Sequence, residues 1–292
     1  PATTRFDYAS LDPRTGLLFV ADLAHGRVDV FDVRRDRFVR AIPDVASVHG
    51  VLAVAELGRV YASATGAHQT VAIEERSLRI VARIPSGRYP DGIAWDPRER
   101  RIFVSDEAGG GVAVIDAASD RLIKIISLGG EVGNTQYDAA SGLIYSNVQT
   151  RGELVAIDPK TDVIVSRNRI AGCRGNHGLL IDAARGLAFI ACEGNARLIV
   201  FSLARRAELG EASVGRGPDV LAYDPLEARL YVASESGVVT VFAVRADRVA
   251  KLGGARLADN AHVVAVDPAT HRVFFPLRSV HGEAVLRIMA AK

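Results

Sequence analysis

The sequence has 292 residues, with an apolar fraction of 49%, a charged fraction of 24% and a net charge of +2. This composition is ordinary for a globular protein with a core, and the weak net charge argues against a nucleic-acid or anionic-membrane partner. No apolar run reaches the ~18 residues that a bilayer crossing needs. The chain opens at Pro1-Ala2-Thr3-Thr4 without an initiator Met. A processed, exported chain or a trimmed one would begin in this way, so we expect a periplasmic or secreted protein.

One turn recurs along the whole chain. Its first copy reads Asp12-Pro13-Arg14-Thr15-Gly16, and its Asp position returns at intervals of 42–44 residues. The seven positions are Asp12, Val54, Asp96, Asp138, Asp182, Asp224 and Asp267. Seven units with a period of about 40–45 residues are typical of a β-propeller. No linker interrupts the period, so we predict a single domain over residues 1–292.

Each unit is predicted to contain four short antiparallel strands. The first is mostly apolar and precedes the Asp turn, as at residues 92–95. The second carries one aromatic residue per unit at one register: Phe19, Tyr61, Phe103, Tyr145, Phe189, Tyr231 and Phe274. These rings would fill the wedges between neighbouring sheets. The fourth strand, as at residues 37–40, is the most polar, which suits an exposed edge.

The last unit has sequence for only three strands, at about residues 263–267, 272–277 and 284–289. The segment before Asp7 would supply the fourth, so that the ring closes by pairing of the N- and C-terminal segments. The predicted fold is therefore all-β, a single seven-bladed β-propeller with four-stranded antiparallel blades.

These repeats resemble the YVTN-type seven-bladed propeller repeats of bacterial exported and surface proteins, over essentially the whole chain. The matching turns are at Asp12, Asp96, Asp224 and Asp267, and the matching second strands are Phe19-Val20-Ala21-Asp22, Phe103-Val104-Ser105-Asp106 and Tyr231-Val232-Ala233-Ser234. The second unit departs from the pattern, since Val54-Ala55-Glu56-Leu57-Gly58 lacks the Asp-Pro pair. The resemblance implies the fold and says little about activity, because members of the family do different things on one scaffold.

A ring of polar residues is predicted five positions before each turn, where the innermost strand begins at the mouth of the central channel. The positions are Asp7, His49, Asp91, Gly133, His177, Asp219 and His262, with Asn134 able to substitute for Gly133. The chain has 34 acidic residues and 7 histidines among 292 residues, so Asp, Glu or His would fall at a given position about one time in seven. Six of seven is a strong departure from chance.

The order of these residues around the ring predicts a metal site. Histidines fall on units 2, 5 and 7, which is close to a trigonal arrangement, and we predict His49, His177 and His262 as ligands of Zn²⁺, Cu²⁺ or Mn²⁺. The interleaved carboxylates would orient the imidazoles. Two alternatives remain open: a polar channel mouth without metal, in which Asp and His pair with each other, and a metal-free acid–base site built on a His–Asp pair.

A second set of positions lies at the end of the second strand, on the same predicted face. It comprises Leu23, Thr65, Glu107, Gln149, Glu193, Glu235 and Arg278. The residues predicted to bind a ligand at this face are Asp7, Asp91, Asn134, Asp219, Glu107 and Arg278. The candidates for catalysis are His177, His262, Glu193 and Glu235. Solvated charges at the rim are the alternative explanation for the second set.

The two cysteines fall at the same predicted face. Cys173 lies in the loop before His177, and Cys192 ends the second strand of the same unit. A disulfide is geometrically plausible, and a Cys-plus-His metal site or two free thiols are the alternatives.

Two classes of function remain open. The first is a monomeric, exported binding protein that holds a small molecule, metal or protein partner at the channel mouth. The second is a hydrolase or lyase of the lactonase or streptogramin-lyase kind using the same site, an analogy of architecture alone. The sequence contains no explicit catalytic motif, which favours the first class, and whether the protein is an enzyme stays open.

Overall fold

The structure, a computed structural model, describes residues 5–290. These residues contain twenty-seven β-strands in seven antiparallel sheets. The chain divides into two compact units, Pro1–Gly129 and Gly130–Lys292. The first unit holds three of the sheets and the second holds four. The predicted pairing of the N-terminal segment with the last sheet falls largely on residues 1–4, outside the described residues.

The strands of the first unit are β1 Phe6–Asp12, β2 Leu17–Asp22, β3 Arg27–Asp32, β4 Arg37–Ile42, β5 Val48–Val54, β6 Arg59–Ala64, β7 Gln69–Glu74, β8 Arg79–Pro85, β9 Pro90–Asp96, β10 Arg101–Asp106, β11 Gly111–Asp116 and β12 Arg121–Ser127. Each group of four consecutive strands forms one sheet in which neighbours in sequence are neighbours in space. Short 3-10 helices occur at Leu23–His25, Ala55–Leu57 and Thr65–Ala67.

The strands of the second unit are β13 Val132–Asp138, β14 Leu143–Val148, β15 Glu153–Asp158, β16 Val163–Arg169, β17 Asn176–Asp182, β18 Leu187–Cys192, β19 Arg197–Ser202, β20 Ala207–Ser213, β21 Pro218–Asp224, β22 Arg229–Ser234, β23 Val238–Arg245, β24 Arg248–Arg256, β25 Ala265–Asp267, β26 Arg272–Val280 and β27 Glu283–Ala290. They form three four-stranded sheets and, from β25 to β27, a sheet with three strands among the described residues. Two 3-10 helices lie at Gln149–Arg151 and Glu193–Asn195.

The recurring Asp stabilises the first hairpin of the six sheets that have it, as predicted. Oδ1 of Asp12 accepts a hydrogen bond of 2.7 Å from the backbone N–H of Arg14, which closes an Asx turn. The same bond from the residue two positions on is made at Asp96, Asp138, Asp224 and Asp267. In the second sheet, where Val54 occupies this position, the 3-10 helix Ala55–Leu57 makes the turn and ends at Gly58 with φ of +59°.

The aromatic residue of each second strand is buried, which confirms the predicted register. Phe19, Tyr61, Phe103, Tyr145, Phe189, Tyr231 and Phe274 are each at most 7% exposed. Phe19 packs in one core cluster with Val51 and Val60 of the next sheet, and Phe189 does the same with Leu230 of its neighbour. Burial of such a ring removes roughly 150–250 Å² of surface from water, so these residues stabilise the contact between successive sheets.

The innermost strands of successive sheets lie side by side within each unit. In the first unit β5 packs beside β1 and β9, and in the second unit β17 packs beside β13 and β21. The first residues of these strands are therefore neighbours in space although they are about 42 residues apart in sequence. The strand β25 begins at Ala265, two residues later than predicted, so His262 lies in the segment that leads into it.

Candidate functional site

His177, at the start of β17, has its backbone fixed by side chains of the preceding sheet. Asn147 donates from Nδ2 to the carbonyl oxygens of His177 and Gly178, at 3.1 Å each. Asn176 in turn donates to Oδ1 of Asn147 at 3.1 Å. A Cβ added to Gly178 would lie 2.0 Å from the carbonyl oxygen of Asp219. The glycine therefore permits the close approach of β17 to β21 that brings His177 beside Asp219.

Asp219 lies between two histidines. Its Oδ1 is 3.6 Å from Nε2 of His177, and its Oδ2 is 3.8 Å from Nε2 of His262. The side chain of His262 is fully buried, and those of His177 and Asp219 are each 10% exposed. The sequence predicted this convergence of three innermost strands, and the structure brings these three side chains together within the second unit.

The tautomer of His262 follows from its second ring nitrogen. Nδ1 lies 3.0 Å from the carbonyl oxygen of Asn260. A carbonyl oxygen only accepts hydrogen bonds, so Nδ1 carries a proton in this contact. In the neutral ring Nε2 then holds the lone pair, and this lone pair faces Asp219.

Glu193 belongs to the same group of side chains. The donor atoms of His177, Glu193 and Asp219 all lie within 4.8 Å of one another. The backbone N–H of Glu193 donates to the carbonyl oxygen of Gly175 at 2.9 Å, which ties the end of β18 to the loop before His177. Glu193 is partly exposed, whereas its neighbours are buried. We call His177, Glu193, Asp219 and His262 the second-unit cluster.

A disulfide joins Cys173 to Cys192, which confirms that prediction over the alternatives of a Cys-plus-His metal site and two free thiols. The two Cα atoms are 5.3 Å apart, and both residues are buried in the core of the fifth sheet, β17–β20. Cys192 directly precedes Glu193, and Cys173 lies four residues before His177. The bond therefore restrains both segments that carry these two members of the second-unit cluster.

His49 has a different environment, in the first unit. Its Nδ1 lies 2.8 Å from the carbonyl oxygen of Ser47 and 2.9 Å from Oγ1 of Thr65, and its Nε2 lies 2.9 Å from the hydroxyl of Tyr89. Oδ2 of Asp7 is 3.7 Å from the same Nε2. Both ring nitrogens are thus hydrogen-bonded within the first unit. A metal at His49, as the predicted trio of histidines requires, would have to displace Tyr89 from Nε2.

Tyr89 is held in its protonated form. Burial, followed by the charges of Glu107, Asp91 and Asp7, raises the pKa of Tyr89 to about 12. Nδ1 of His49 carries a proton because it faces the carbonyl oxygen of Ser47, so in the neutral ring Nε2 accepts the hydrogen bond from the hydroxyl of Tyr89. Beside this pair lies a cavity of about 400 Å³, lined in part by His49, Thr65 and Tyr89. A cavity of this size is in the range that holds a small organic molecule.

The other predicted ligand-binding residues, and the catalytic candidate Glu235, differ in exposure. Asp7, Asp91 and Asn134 are buried at the beginnings of their strands. Glu107 and Arg278 are partly exposed, and Glu235 is exposed. The backbone N–H groups of Glu107 and Glu235 donate to the carbonyl oxygens of Tyr89 and Gly217 respectively, at 2.9 and 2.7 Å. Each second-strand end thus lies beside the start of the innermost strand of its own sheet, as expected.

Gly133 lacks a side chain for a steric reason. A Cβ at this position would lie 2.8 Å from Cα of His177 and 2.7 Å from its carbonyl oxygen. The neighbouring strand occupies the space that Asp or His fills at the equivalent positions, and Asn134 is the buried polar residue next to it.

Several residues that position the predicted site residues were not predicted from the sequence. Asn147 and Ser63 both lie on second strands, and Ser63 donates to the carbonyl oxygen of Asp91 at 2.5 Å. The available signal was a small or amide polar residue at a buried strand position. Tyr89 lies in a loop outside the repeating pattern, and nothing in the sequence marked it.

Comparisons with known proteins identify the fold. No protein-family model matches the sequence, and no curated protein matches it. A chain of Kuenenia stuttgartiensis hydrazine synthase is similar with a TM-score of 0.83 and 11% identity, covering 97% of this chain and 95% of that chain. The WD40 repeats of RRP9 are similar with a TM-score of 0.81 and 10% identity, covering 95% of this chain and 88% of that chain. A chain of the mitotic checkpoint complex is similar with a TM-score of 0.78 and 9% identity, covering 93% of this chain and 83% of that chain.

The chain has the fold of a seven-bladed β-propeller. The predicted fold class is confirmed, whereas the YVTN resemblance stays a prediction. At 9–11% sequence identity, these structural similarities show the fold and give no information on activity. Between residues 5 and 290, no helix has the length and apolar character that spanning a bilayer demands.

Proposed function

We propose that the protein is an exported, monomeric propeller of the YVTN type that binds one divalent transition metal at the second-unit cluster. The observation that carries the proposal is the position of Asp219 between Nε2 of His177 and Nε2 of His262, at 3.6 and 3.8 Å. A cation between these groups would have an imidazole nitrogen on either side of the carboxylate. Glu193 lies at the exposed side, with its donor atom within 4.8 Å of those of His177 and Asp219.

The donor set suits a borderline metal. Imidazole nitrogens and carboxylate oxygens are ligands of Zn²⁺, and the same nitrogens would favour Cu²⁺ on affinity grounds. In a tetrahedral zinc centre with bonds of ~2.0–2.1 Å, donor atoms lie about 3.3–3.4 Å apart. The separations of 3.6 and 3.8 Å exceed that value by a few tenths of an ångström, and each involves a different oxygen of Asp219. Closing the site would therefore require rotation of these side chains, and the bond from His262 to Asn260 would orient the ring.

Metal titration of the purified chain of residues 1–292 tests this proposal. Protein prepared without added metal is titrated calorimetrically with Zn²⁺, Cu²⁺ and Mn²⁺, and we expect one equivalent to bind. Asp219→Asn and His262→Gln should each weaken binding by more than the roughly 10–100-fold lost when a ligand's hydrogen-bond partner is removed. His281→Asn, at an exposed turn, is the matched control and should bind like the wild type.

Two further measurements complete the test. Far-UV circular dichroism establishes that each variant is folded, so that lost binding is not lost structure. His49→Gln shows whether the third histidine predicted from the sequence takes part. Failure of the wild type to bind any of the three ions, together with an unfolding temperature that they leave unchanged, would overturn the proposal.

A catalytic role is the second candidate, and it rests on Glu193. This carboxylate is partly exposed next to the buried pair His177–Asp219, where it could serve as a general base for a hydrolase or lyase. Esterase and lactone substrates would then be turned over by the wild type and not by Glu193→Gln. Retention of metal by that variant would separate a loss of catalysis from a loss of binding.

Export is supported by the disulfide, since such bonds persist in oxidising compartments. Alkylation of the protein directly from cells, before lysis, tests this point. Protection of Cys173 and Cys192 from the reagent is expected, and two alkylated cysteines would contradict it.

A further inference from the structure

A groove of about 560 Å³ lies in the second unit, where the sixth sheet, β21–β24, faces the segment that follows β20. Three cationic side chains line it: Arg216 in the link between β20 and β21, and Lys251 and Arg256 on β24. No acidic side chain is among its described lining residues. Asp259 pairs with Arg256 from outside the groove, so the local charge remains positive. A concave surface lined by one sign of charge attracts counter-ions.

A buried hydroxyl points to a ligand in the same groove. Thr240 on β23 lines the groove and is 1% exposed, and its Oγ1 has no hydrogen-bond partner among the described residues. It lies opposite Gly254 in the register of β23 and β24. A Cβ at Gly254 would be 3.7 Å from this hydroxyl, so the glycine leaves room beside it. A buried hydroxyl without a partner destabilises the protein, which makes the position costly unless something binds there.

Two more hydroxyls repeat this pattern near Gly215, which also lines the groove. Oγ of Ser234 and Oγ of Ser236 are buried without partners among residues 5–290. Both lie near Gly215, because a Cβ at Gly215 would be 2.7 and 2.9 Å from them. Gly215 and Ser236 line the groove. Hydroxyl donors without acceptors and three cations thus occur together in one place.

Comparison with the fifth sheet shows that the repeat alone does not produce this groove. The bulge between Val241 and Phe242 matches the one between Val200 and Phe201, which aligns the registers of the two sheets. Under this alignment, Thr240, Lys251, Gly254 and Arg256 correspond to Ile199, Glu208, Glu211 and Ser213. The fifth sheet has an apolar residue and two acids where the sixth has a hydroxyl, a lysine and a glycine.

We propose that this groove binds a small tetrahedral oxyanion, phosphate or sulfate in chemical type, either free or as the end group of a larger molecule. Lys251, Arg216 and Arg256 would supply the charge, and Thr240 and Ser236 would donate hydrogen bonds to the anion's oxygens. The proposal is independent of the second-unit cluster, with which it shares no residue.

Calorimetric titration of the full-length chain with inorganic phosphate, sulfate and glycerol phosphate tests it, with chloride at matched ionic strength as the reference. Lys251→Gln and Arg216→Gln should each weaken phosphate binding about tenfold or more, as expected for loss of a hydrogen bond to a charged group. Arg248→Gln is the matched control, because Arg248 is an exposed cation on the same strand β24 and does not line the groove. Tighter binding of the ester than of phosphate would identify an end group as the natural ligand.

Thr240→Val provides a readout that a purely structural residue would not give. Without anion, the variant should unfold about 2–4 °C higher than the wild type, because an unsatisfied buried hydroxyl is replaced by an isosteric methyl. Its phosphate affinity should nevertheless fall about tenfold. A variant that unfolds at a lower temperature and binds phosphate normally would overturn the proposal. So would binding of phosphate that Arg248→Gln weakens as much as Lys251→Gln does.

Discussion

Removal of the disulfide should weaken both the stability of the protein and the proposed metal site. The bond joins residues that are 19 positions apart. For a closed loop of about 20 residues, the loop-closure model gives about 3 kcal/mol of stabilisation at 25 °C. We therefore expect Cys173→Ala/Cys192→Ala to lower the free energy of unfolding by about that amount. Metal affinity should fall as well, because His177 and Glu193 would lose the restraint on their segments.

Equilibrium unfolding in urea, followed by circular dichroism, measures the first effect, and calorimetric titration with Zn²⁺ measures the second. The reduced wild type should unfold at the same urea concentration as the double variant, while reductant should leave the variant unchanged. A loss of stability below about 1 kcal/mol, under the usual range for native disulfides, would refute the reasoning. It would mean that the hydrogen bonds around β17 order the loop without help from the bond.

Three further substitutions test individual contacts. Burial raises the pKa of Glu75, so folding favours its protonated form. Glu75→Gln should therefore stabilise the protein at pH 7, and this advantage should disappear as the pH falls from the raised pKa to ~4. Urea unfolding at pH 7 and pH 4 compares the two. The hydrogen bond to Asp224 raises the pKa of His271. The stabilisation that His271 provides is therefore complete below pH ~6.5 and disappears as the pH rises through the raised pKa. The wild type should unfold at a higher temperature than His271→Asn at low pH, and a difference that persists at pH 9 would contradict this. Tyr61→Phe removes the hydroxyl that donates to Asp120 at 3.0 Å and should cost about 1–3 kcal/mol in urea unfolding, whereas no change would mean that water replaces the bond.

The fold could be predicted because the same pattern of turns and strands recurs in seven units of the sequence. Hydrogen bonding by Asp12 explains the turn, and burial explains the aromatic ring of Phe19. The equivalent residues of the other units support the same conclusion. The second sheet shows the limit of this reasoning. Val54 breaks the pattern, and the 3-10 helix Ala55–Leu57 that replaces the Asp turn has no signal in the sequence beyond Gly58.

The site could be predicted only as far as strand geometry determines it. Equivalent strand starts must be neighbours, so the proximity of His177, Asp219 and His262 followed from their spacing. The hydrogen-bond partners of each histidine could not be predicted from the repeat, because these partners lie in loops that do not repeat. Tyr89, which binds Nε2 of His49, belongs to such a loop. The tautomer of a ring depends on one carbonyl oxygen, and no periodic pattern specifies which carbonyl that is.

The second-unit cluster takes its donors from three consecutive sheets: His177 and Glu193 from the fifth, Asp219 from the sixth, and His262 from the segment leading into the seventh. A metal ion would bind at this cluster only in chains in which all three sheets have assembled. At a free ion concentration 100 times its dissociation constant, such binding adds about 2.7 kcal/mol to the folded state. Supply of the ion in the compartment would then govern how long this half of the chain survives proteases that attack opened sheets.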